Sequence, residues 1–182
     1  MTKQKLIVIP GITLMLLMGV ATAFAADTKS RSENMTKEDT DFVSEAAMGG
    51  LMEVQLGNTA QSQGSKSQVK NFGRRMHADH TRANEQLKKI AAKKDIKIPT
   101  ALEGKQKATY DKLIKLRGDE FDREYMSTMV NDHKEDIEKF QKEADTGKDP
   151  DVKKFAKDHL PILKKHLELA EQTQKQVSGG GK

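Results

Sequence analysis

The sequence predicts an all-α protein, a four-helix bundle with a short extra crossover helix. Apolar residues recur at steps of three and four along four long stretches of the 182-residue chain, as in helices that bury one face. Polar turns or Gly and Pro residues separate these stretches, and no stretch shows the strict alternation typical of a strand. Four long amphipathic helices with short connections are typical of a helical bundle.

Capping residues place the first two long helices. Thr36 with Asp39 forms a capping box that opens the first helix. A polar turn at residues 61–66 separates this helix from the second one. There, Ser65 with Gln68 supplies the predicted cap.

The crossover helix and the third long helix follow. Asp95–Pro99 is predicted to be the crossing loop, after which Thr100 with Glu103 caps a shorter helix that ends near Gly118. The third long helix comes next, and Gly147 is predicted to end it.

The fourth long helix begins with Asp149 as N-cap and Pro150 at the first helical position. The glycine-rich end of the chain is predicted to be disordered. The expected organisation is a signal peptide at residues 1–25, a flexible lead at 26–38, a bundle domain at 39–175 and a disordered tail at 176–182.

The amino terminus has the pattern of an export signal. Lys3 and Lys5 precede the apolar stretch Leu6–Val20, and Ala23-Phe24-Ala25 is a small-x-small cleavage pattern. The alternative is an uncleaved anchor, since Leu6–Ala26 is long enough to cross a bilayer. The sequence therefore predicts an exported protein of the bacterial periplasm. Because no second apolar stretch is long enough to cross as a helix, any association with the outer membrane should be peripheral.

Composition argues against a disulfide, a lipid-modified cysteine and nucleic-acid binding. The chain has no cysteine, so neither a disulfide nor a lipid-modified cysteine is expected. Its net charge is +5, but aromatic residues make up 4% and Trp is absent, which argues against nucleic-acid binding. Peripheral envelope association and a homo-oligomer both stay open. No cysteine nucleophile, Ser-His-Asp arrangement or phosphate loop stands out, so the sequence favours a binding or structural protein over an enzyme.

A short motif, Met-x-x-Asp-His, occurs at Met76–His80 and Met129–His133, with a degraded copy at Phe155–His159. Its first and last residues are four apart and so share a helix face. Imidazole is the commonest metal ligand, and a thioether is a soft one. Five polar residues, most of them histidines, occupy positions where the apolar stripes call for a hydrophobic side chain. They are Glu53, His80, His133, His159 and His166.

The polar residues of the first three long helices lie near mid-length, and mid-helix positions of a bundle fall at similar heights. We therefore expect Glu53, His80 and His133 to meet at one level of the core. His159 and His166 are separated by about 10 Å of helix rise, so only one of them can share that level. His166 is favoured because it lies nearer the middle of its helix.

Two interpretations explain such a buried cluster. One is a single transition-metal ion, copper, zinc or iron, held by imidazole nitrogens and a carboxylate oxygen. The other is a metal-free hydrogen-bonded network in which Glu53 accepts from two imidazoles. The main metal-ligand candidates are Glu53, His80, His133 and His166. The weaker candidates are His159, Met76 and Met129.

The aspartates that precede the motif histidines are about 100° around the helix from them, outside the same inner coordination sphere. They could orient an imidazole on a neighbouring helix, or they could be solvated acids at the edge of the helix interface. These residues are Asp79, Asp132 and Asp158. His77 is expected at the rim of the cluster.

The chain from about Asp39 to Glu171 resembles an uncharacterised bacterial family labelled predicted outer membrane or putative membrane proteins. That family carries a domain of unknown function placed near the ferritin-like superfamily. The motifs that carry the resemblance are Phe42–Ala60, Phe72-Gly73 with Met76 and Asp79-His80, Gly118, Phe121-Asp122, Tyr125-Met126, Met129-Val130, Asp132-His133, Leu160-Pro161, Leu163 and His166-Leu167.

The resemblance implies a ferritin-like bundle without an established activity. Ferritin-like di-iron enzymes use a Glu on each of two helices and Glu-x-x-His on the other two. Glu53 fits the first role, but the residues three before His80, His133 and His166 are not carboxylates. They are His77, Val130 and Leu163. A mononuclear histidine-rich site or a metal-free bundle suits this chain better than di-iron chemistry.

Overall fold

The computed structural model describes residues 35–179, and this part of the chain is all-helical, as predicted. Its helices are α1 (Lys37–Gln63), α2 (Ser67–Lys93), α3 (Gly104–Leu113), α4 (Gly118–Thr146) and α5 (Pro150–Ser178). No strand occurs within the described range, only an isolated bridge between Gly64 and Gly118. The predicted signal peptide lies outside the described residues.

Three predicted helix ends are confirmed. The Thr36 side chain accepts from the backbone of Asp39, while the Asp39 side chain bonds back to the Thr36 backbone, so α1 opens on a capping box. Gly147 is the C-cap of α4. Asp149 caps α5 through the backbone N–H groups that follow it, with Pro150 at the first helical position.

The predicted side-chain cap of α2 is wrong. Its N-cap is Lys66, which makes no side-chain cap hydrogen bond. Asp122, on α4, does the capping from across the bundle. Its carboxylate accepts from the Ser65 N–H at 3.0 Å, the Lys66 N–H at 2.8 Å and the Ser65 hydroxyl at 2.9 Å. One buried carboxylate thus pairs with the donors at the start of α2, which the sequence pattern had assigned to Ser65 and Gln68.

Other boundaries also differ from the prediction. The N-cap of α3 is Glu103, without a side-chain cap hydrogen bond, so the predicted Thr100–Glu103 cap is wrong. The predicted end of α3 near Gly118 is also wrong. The helix ends at Leu113, and Gly118 (φ 62°) is the first residue of α4. A positive φ suits glycine, which accounts for its place at this junction. Finally, α5 continues to Ser178, into the segment predicted as tail.

The four long helices pack as two pairs. α1 packs along α2, and α4 along α5, while α2–α5 and α1–α4 contacts join the pairs and α3 lies mainly against α1. The result is a helical bundle with two apolar clusters. One cluster centres on Leu56, Met76, Phe121 and Met129, and the other on Val43, Leu87, Phe140 and Phe155.

The two apolar clusters occupy different stretches of each long helix. On α2, for example, one uses Val69–Met76 and the other Leu87–Ala91, so His80 falls between them. On α4 the corresponding gap contains His133, and on α5 it contains His166. The polar residues therefore form a layer across the middle of the bundle, as the sequence predicted.

Gly57 marks a close approach between the backbones of α1 and α2. A Cβ built at Gly57 would lie 2.6 Å from the Gly73 carbonyl oxygen and 2.8 Å from the His77 backbone nitrogen. Because the obstacles are backbone atoms, Gly57→Ala is expected to lower the free energy of unfolding by about 1–3 kcal/mol. Gly49→Ala is the matched control, since its nearest contact would be Asp136 at 3.8 Å. We expect that variant to gain about 1 kcal/mol from helix propensity.

Urea denaturation of the two variants measures both effects. Equal loss of stability in Gly57→Ala and Gly49→Ala would show that the close backbone approach does not control packing of this helix pair.

Candidate metal centre

Each long helix contributes one side chain to a buried polar cluster: Glu53 from α1, His80 from α2, His133 from α4 and His166 from α5. Their exposed fractions are 1%, 6%, 0% and 2%. A nitrogen of each imidazole lies within 4.8 Å of a nitrogen of each of the others. The ring centroids are 5.4–5.7 Å apart. The structure thus brings the four main predicted ligands together.

His133 has one nitrogen fixed by the backbone. Its Nδ1 lies 2.9 Å from the Met129 carbonyl oxygen, four residues earlier on α4. A carbonyl only accepts, so Nδ1 carries the hydrogen and the neutral ring leaves a lone pair on Nε2. Nε2 is buried, lies 3.4 Å from Glu53 Oε1 and has no hydrogen-bond partner among residues 35–179.

His166 is held in the opposite tautomer. Its Nε2 lies 2.9 Å from Asp79 Oδ2, which places the hydrogen on Nε2 and leaves Nδ1 as the free acceptor. Nδ1 is buried and lacks a partner within the described chain. Asp79 also pairs with Arg75 and Arg82 on α2, so the carboxylate that orients His166 is itself anchored. A carboxylate behind a histidine is the common outer-shell arrangement of metal-binding imidazoles.

His80 faces Glu53. Its Nδ1 lies 2.8 Å from Glu53 Oε2, within ion-pair distance. The angles of this contact are not those of a hydrogen bond, so both Glu53 oxygens lack a hydrogen-bond partner in the described structure. His80 Nε2 also lacks one. Each of the three histidines therefore has a buried ring nitrogen that is bare, that is, without a hydrogen-bond partner among the described residues.

Burial keeps these imidazoles neutral. It lowers the pKa of His80 to about 4 and that of His166 to about 4, and it holds the pKa of His133 well below 6.5. Neighbouring imidazoles lower the pKa of His133 further. Neutral imidazoles with an available lone pair are the form that coordinates metals.

A group of carboxylates beside the histidines was not predicted from the sequence. Oxygens of Glu53, Asp132 and Asp136 lie within 4.8 Å of one another. Burial raises the pKa of Glu53 well above the ordinary range. Burial, and then the neighbouring negative charges, raise the pKa of Asp132 well above the ordinary range and that of Asp136 to about 7. The available signal was the spacing of Asp132 and Asp136, four residues apart on one helix face.

Of the weaker candidates, His159 lies outside the cluster. His159 is half-buried, stacks near Phe155 with a centroid distance of 4.3 Å, and has its Nε2 2.9 Å from Gln86 Oε1. Met76 and Met129 are buried among the apolar residues of the bundle. His77 is half-buried, and Asp158 pairs with Lys154 at 2.6 Å.

A cavity of about 450 Å³ reaches the histidines from one side of the bundle. His80 and His166 line it, together with the basic side chains of Arg75, Arg82 and Lys165. The cavity therefore extends to two of the three cluster histidines, His80 and His166.

The low histidine pKa values predict a pH dependence for the metal-free protein. The unfolded chain binds these protons near pH 6.5, whereas folded His80 and His166 bind them only near pH 4. Their contribution to stability is therefore complete above pH 6.5 and is lost as the pH falls from 6.5 to 4. The raised pKa values of Glu53, Asp132 and Asp136 act in the opposite direction, because the folded chain keeps those protons to a higher pH than the unfolded chain does. The histidine contribution is therefore read from the difference in Tm between the wild type and a variant that lacks one imidazole, measured by circular dichroism with chelator present.

The variant His80→Gln cannot take up the proton, so its Tm should rise relative to that of the wild type as the pH falls from 6.5 to 4. His77→Gln, outside the cluster, is the control. A Tm profile of His80→Gln parallel to that of the wild type would contradict this assignment.

Fold and site together define the class: an all-α helical-bundle protein with a buried histidine and carboxylate centre that is compatible with metal binding. The chain belongs to the DUF4142 family, a domain of unknown function, which it matches over residues 24–173. No curated protein and no solved structure matches the chain. Within residues 35–179, the helices lack an apolar stretch of the length needed to cross a membrane.

Proposed function

We propose that this protein binds one transition-metal ion through His80 Nε2, His133 Nε2 and His166 Nδ1, with Glu53 beside them as a further ligand. The observation that carries the proposal is that three buried histidines have ring nitrogens within 4.8 Å of one another, and that each has a buried nitrogen without a hydrogen-bond partner among residues 35–179. Three imidazoles with a carboxylate suit Zn²⁺ and compete well for copper and iron. The set contains no sulfur ligand, so we take Zn²⁺ as the first ion to test.

The alternative is a metal-free core held by hydrogen bonds. That core needs a donor for each bare nitrogen, because two lone pairs that face each other repel. A protonated Glu53 supplies a single hydrogen, and its oxygens lie 2.8 Å from His80 Nδ1 and 3.4 Å from His133 Nε2. Water would have to satisfy the other two nitrogens. A metal ion satisfies all three at once, which is why we favour it.

The proposal also covers location and fold family. The amino-terminal signal pattern supports export to the periplasm, where the protein would sequester metal or respond to metal or oxidative stress. The pairing of four long helices, with a shorter helix between the pairs, supports a ferritin-like relationship. A metal-free structural or interaction role in the envelope is the second candidate function.

Elemental analysis of protein purified without a histidine tag tests the metal site. We expect about one Zn²⁺ per chain after exposure to zinc and removal of the excess. His166→Ala should lose that ion, whereas His159→Ala should keep it, since both residues lie on α5 but only His166 belongs to the cluster. Equal metal content in the two variants, or none in the wild type, would refute the proposal.

A further inference from the structure

We propose a second cation site in the same core, built from oxygen ligands alone. Its ligands are the carboxylates of Glu53, Asp132 and Asp136, and its occupant is a hard divalent cation of the Mg²⁺ and Mn²⁺ class. This site goes beyond the histidine centre and does not require that centre to be occupied.

The geometry comes from two packed helices. Asp132 and Asp136 lie one turn apart on α4, and Glu53 approaches them from α1. One oxygen of each carboxylate lies within 4.8 Å of an oxygen of the other two. Gly49, one turn before Glu53 on α1, leaves room here, since a Cβ at that position would be 3.8 Å from Asp136 Oδ2.

Buried atoms without partners point to a missing ligand at this position. Both Glu53 oxygens and Asp132 Oδ2 are buried and lack hydrogen-bond partners among the described residues. The hydroxyl of Tyr125, a side chain with 0% exposure, is also unpartnered, and the charges of Glu53 and Asp132 act on it. Unsatisfied polar atoms in a core are costly, and a cation with its bound water would satisfy the whole group.

No lysine or arginine in residues 35–179 forms an ion pair with the three carboxylates. The nearby lysines pair with other acids: Lys105 with Glu135 at 2.9 Å and Lys139 with Glu45 at 3.0 Å. Three acids at this spacing repel one another, and a divalent ion offsets that repulsion directly.

The carboxylates have their own route to the surface. A second cavity, of about 260 Å³, is lined by Asp132 and Asp136 and by the polar side chains of Thr128 and Asn131. It lies towards α3, whereas the larger cavity reaches the histidines, and Asp136 lines both. A cation can thus reach Asp132 and Asp136 without passing the imidazoles.

Ligand chemistry separates the two sites. Carboxylate, carbonyl and water oxygens suit Mg²⁺ and Mn²⁺, which usually keep several bound waters, whereas imidazole suits zinc, copper and iron. Glu53 lies between the two groups, 2.8 Å from His80 Nδ1 on one side. The core therefore offers two adjacent sites that sort cations by ligand type.

Mn²⁺ is the probe for the test, because free Mn²⁺ gives an electron paramagnetic resonance signal that bound Mn²⁺ loses. Titration of the chelator-treated full chain should reveal one site, weakened at least about tenfold by the isosteric change Asp132→Asn. Asp136→Asn should weaken it similarly and serves if Asp132→Asn does not fold. Glu135→Gln, which alters an exposed acid of the same cavity, should leave the affinity within about twofold.

His166→Ala separates this site from the histidine centre. It should retain Mn²⁺ even though it loses zinc, so Mn²⁺ binding persists if the histidine centre proves metal-free. The second site is refuted if Mn²⁺ binds the wild type no better than it binds Asp132→Asn, or if His166→Ala loses Mn²⁺ to the same extent.

Discussion

Zinc at 1,000 times its dissociation constant is expected to raise the free energy of unfolding of the wild-type protein by about 4 kcal/mol. The ion would bind the folded chain, where ligands from four helices converge, and not the unfolded chain, where they are separated. His133→Ala should lose nearly all of this gain. Loss of an outer-shell partner alone weakens metal binding by about 10- to 100-fold, and His133 is proposed to touch the ion itself.

Urea denaturation with zinc and with chelator measures the gain in each variant. His77→Ala, a change on α2 outside the cluster, is the control and should keep the wild-type response to zinc. Equal zinc-dependent gains in His133→Ala and the wild type would place the bound ions elsewhere on the chain. Because each variant is compared with itself, any loss of packing caused by His133→Ala cancels.

Asp122→Ala is expected to lower the free energy of unfolding by about 2–4 kcal/mol. The Asp122 side chain is fully buried and accepts from two backbone N–H groups and one hydroxyl at the start of α2. Its removal leaves the two backbone N–H groups without a partner, while the Ser65 hydroxyl keeps Asp119 as an acceptor. Hydrogen bonds to a charged group are the stronger kind, so the loss should be large.

Asp119→Ala provides the matched control. Asp119 lies one turn earlier on α4, is 60% exposed and bonds to the Ser65 hydroxyl. We expect it to cost less than about 1 kcal/mol, as is usual for exposed polar contacts. Equal losses in the two variants, measured by urea denaturation, would mean that Asp122 does not cap α2.

The helices could be predicted from sequence because their signals are local. The capping box of Thr36 and Asp39, and the Asp149-Pro150 start, need only neighbouring residues, and both were confirmed. The cap of α2 depends on Asp122, more than 50 residues away, so a local pattern pointed to Ser65 and Gln68 instead. Long-range contacts of this kind have no periodic signature in the chain.

The candidate site was predictable to the extent that it follows helix register. Three polar residues occupy apolar helix faces near mid-helix: Glu53, His80 and His133. The preference for His166 over His159 agrees with the cluster found. Asp132 and Asp136 were missed because an acid on a helix is normally solvated. Only the packing of α1 against α4 places them beside Glu53.

The polar layer across the middle of the bundle divides its hydrophobic interior into two halves, each with its own apolar cluster. Regions with separate cores can open independently, at different free energies. An ion bound by all four long helices at the boundary would couple the two halves. Backbone amide hydrogens at both ends of the bundle would then exchange with solvent together. Metal occupancy would then set the folding cooperativity of the entire domain.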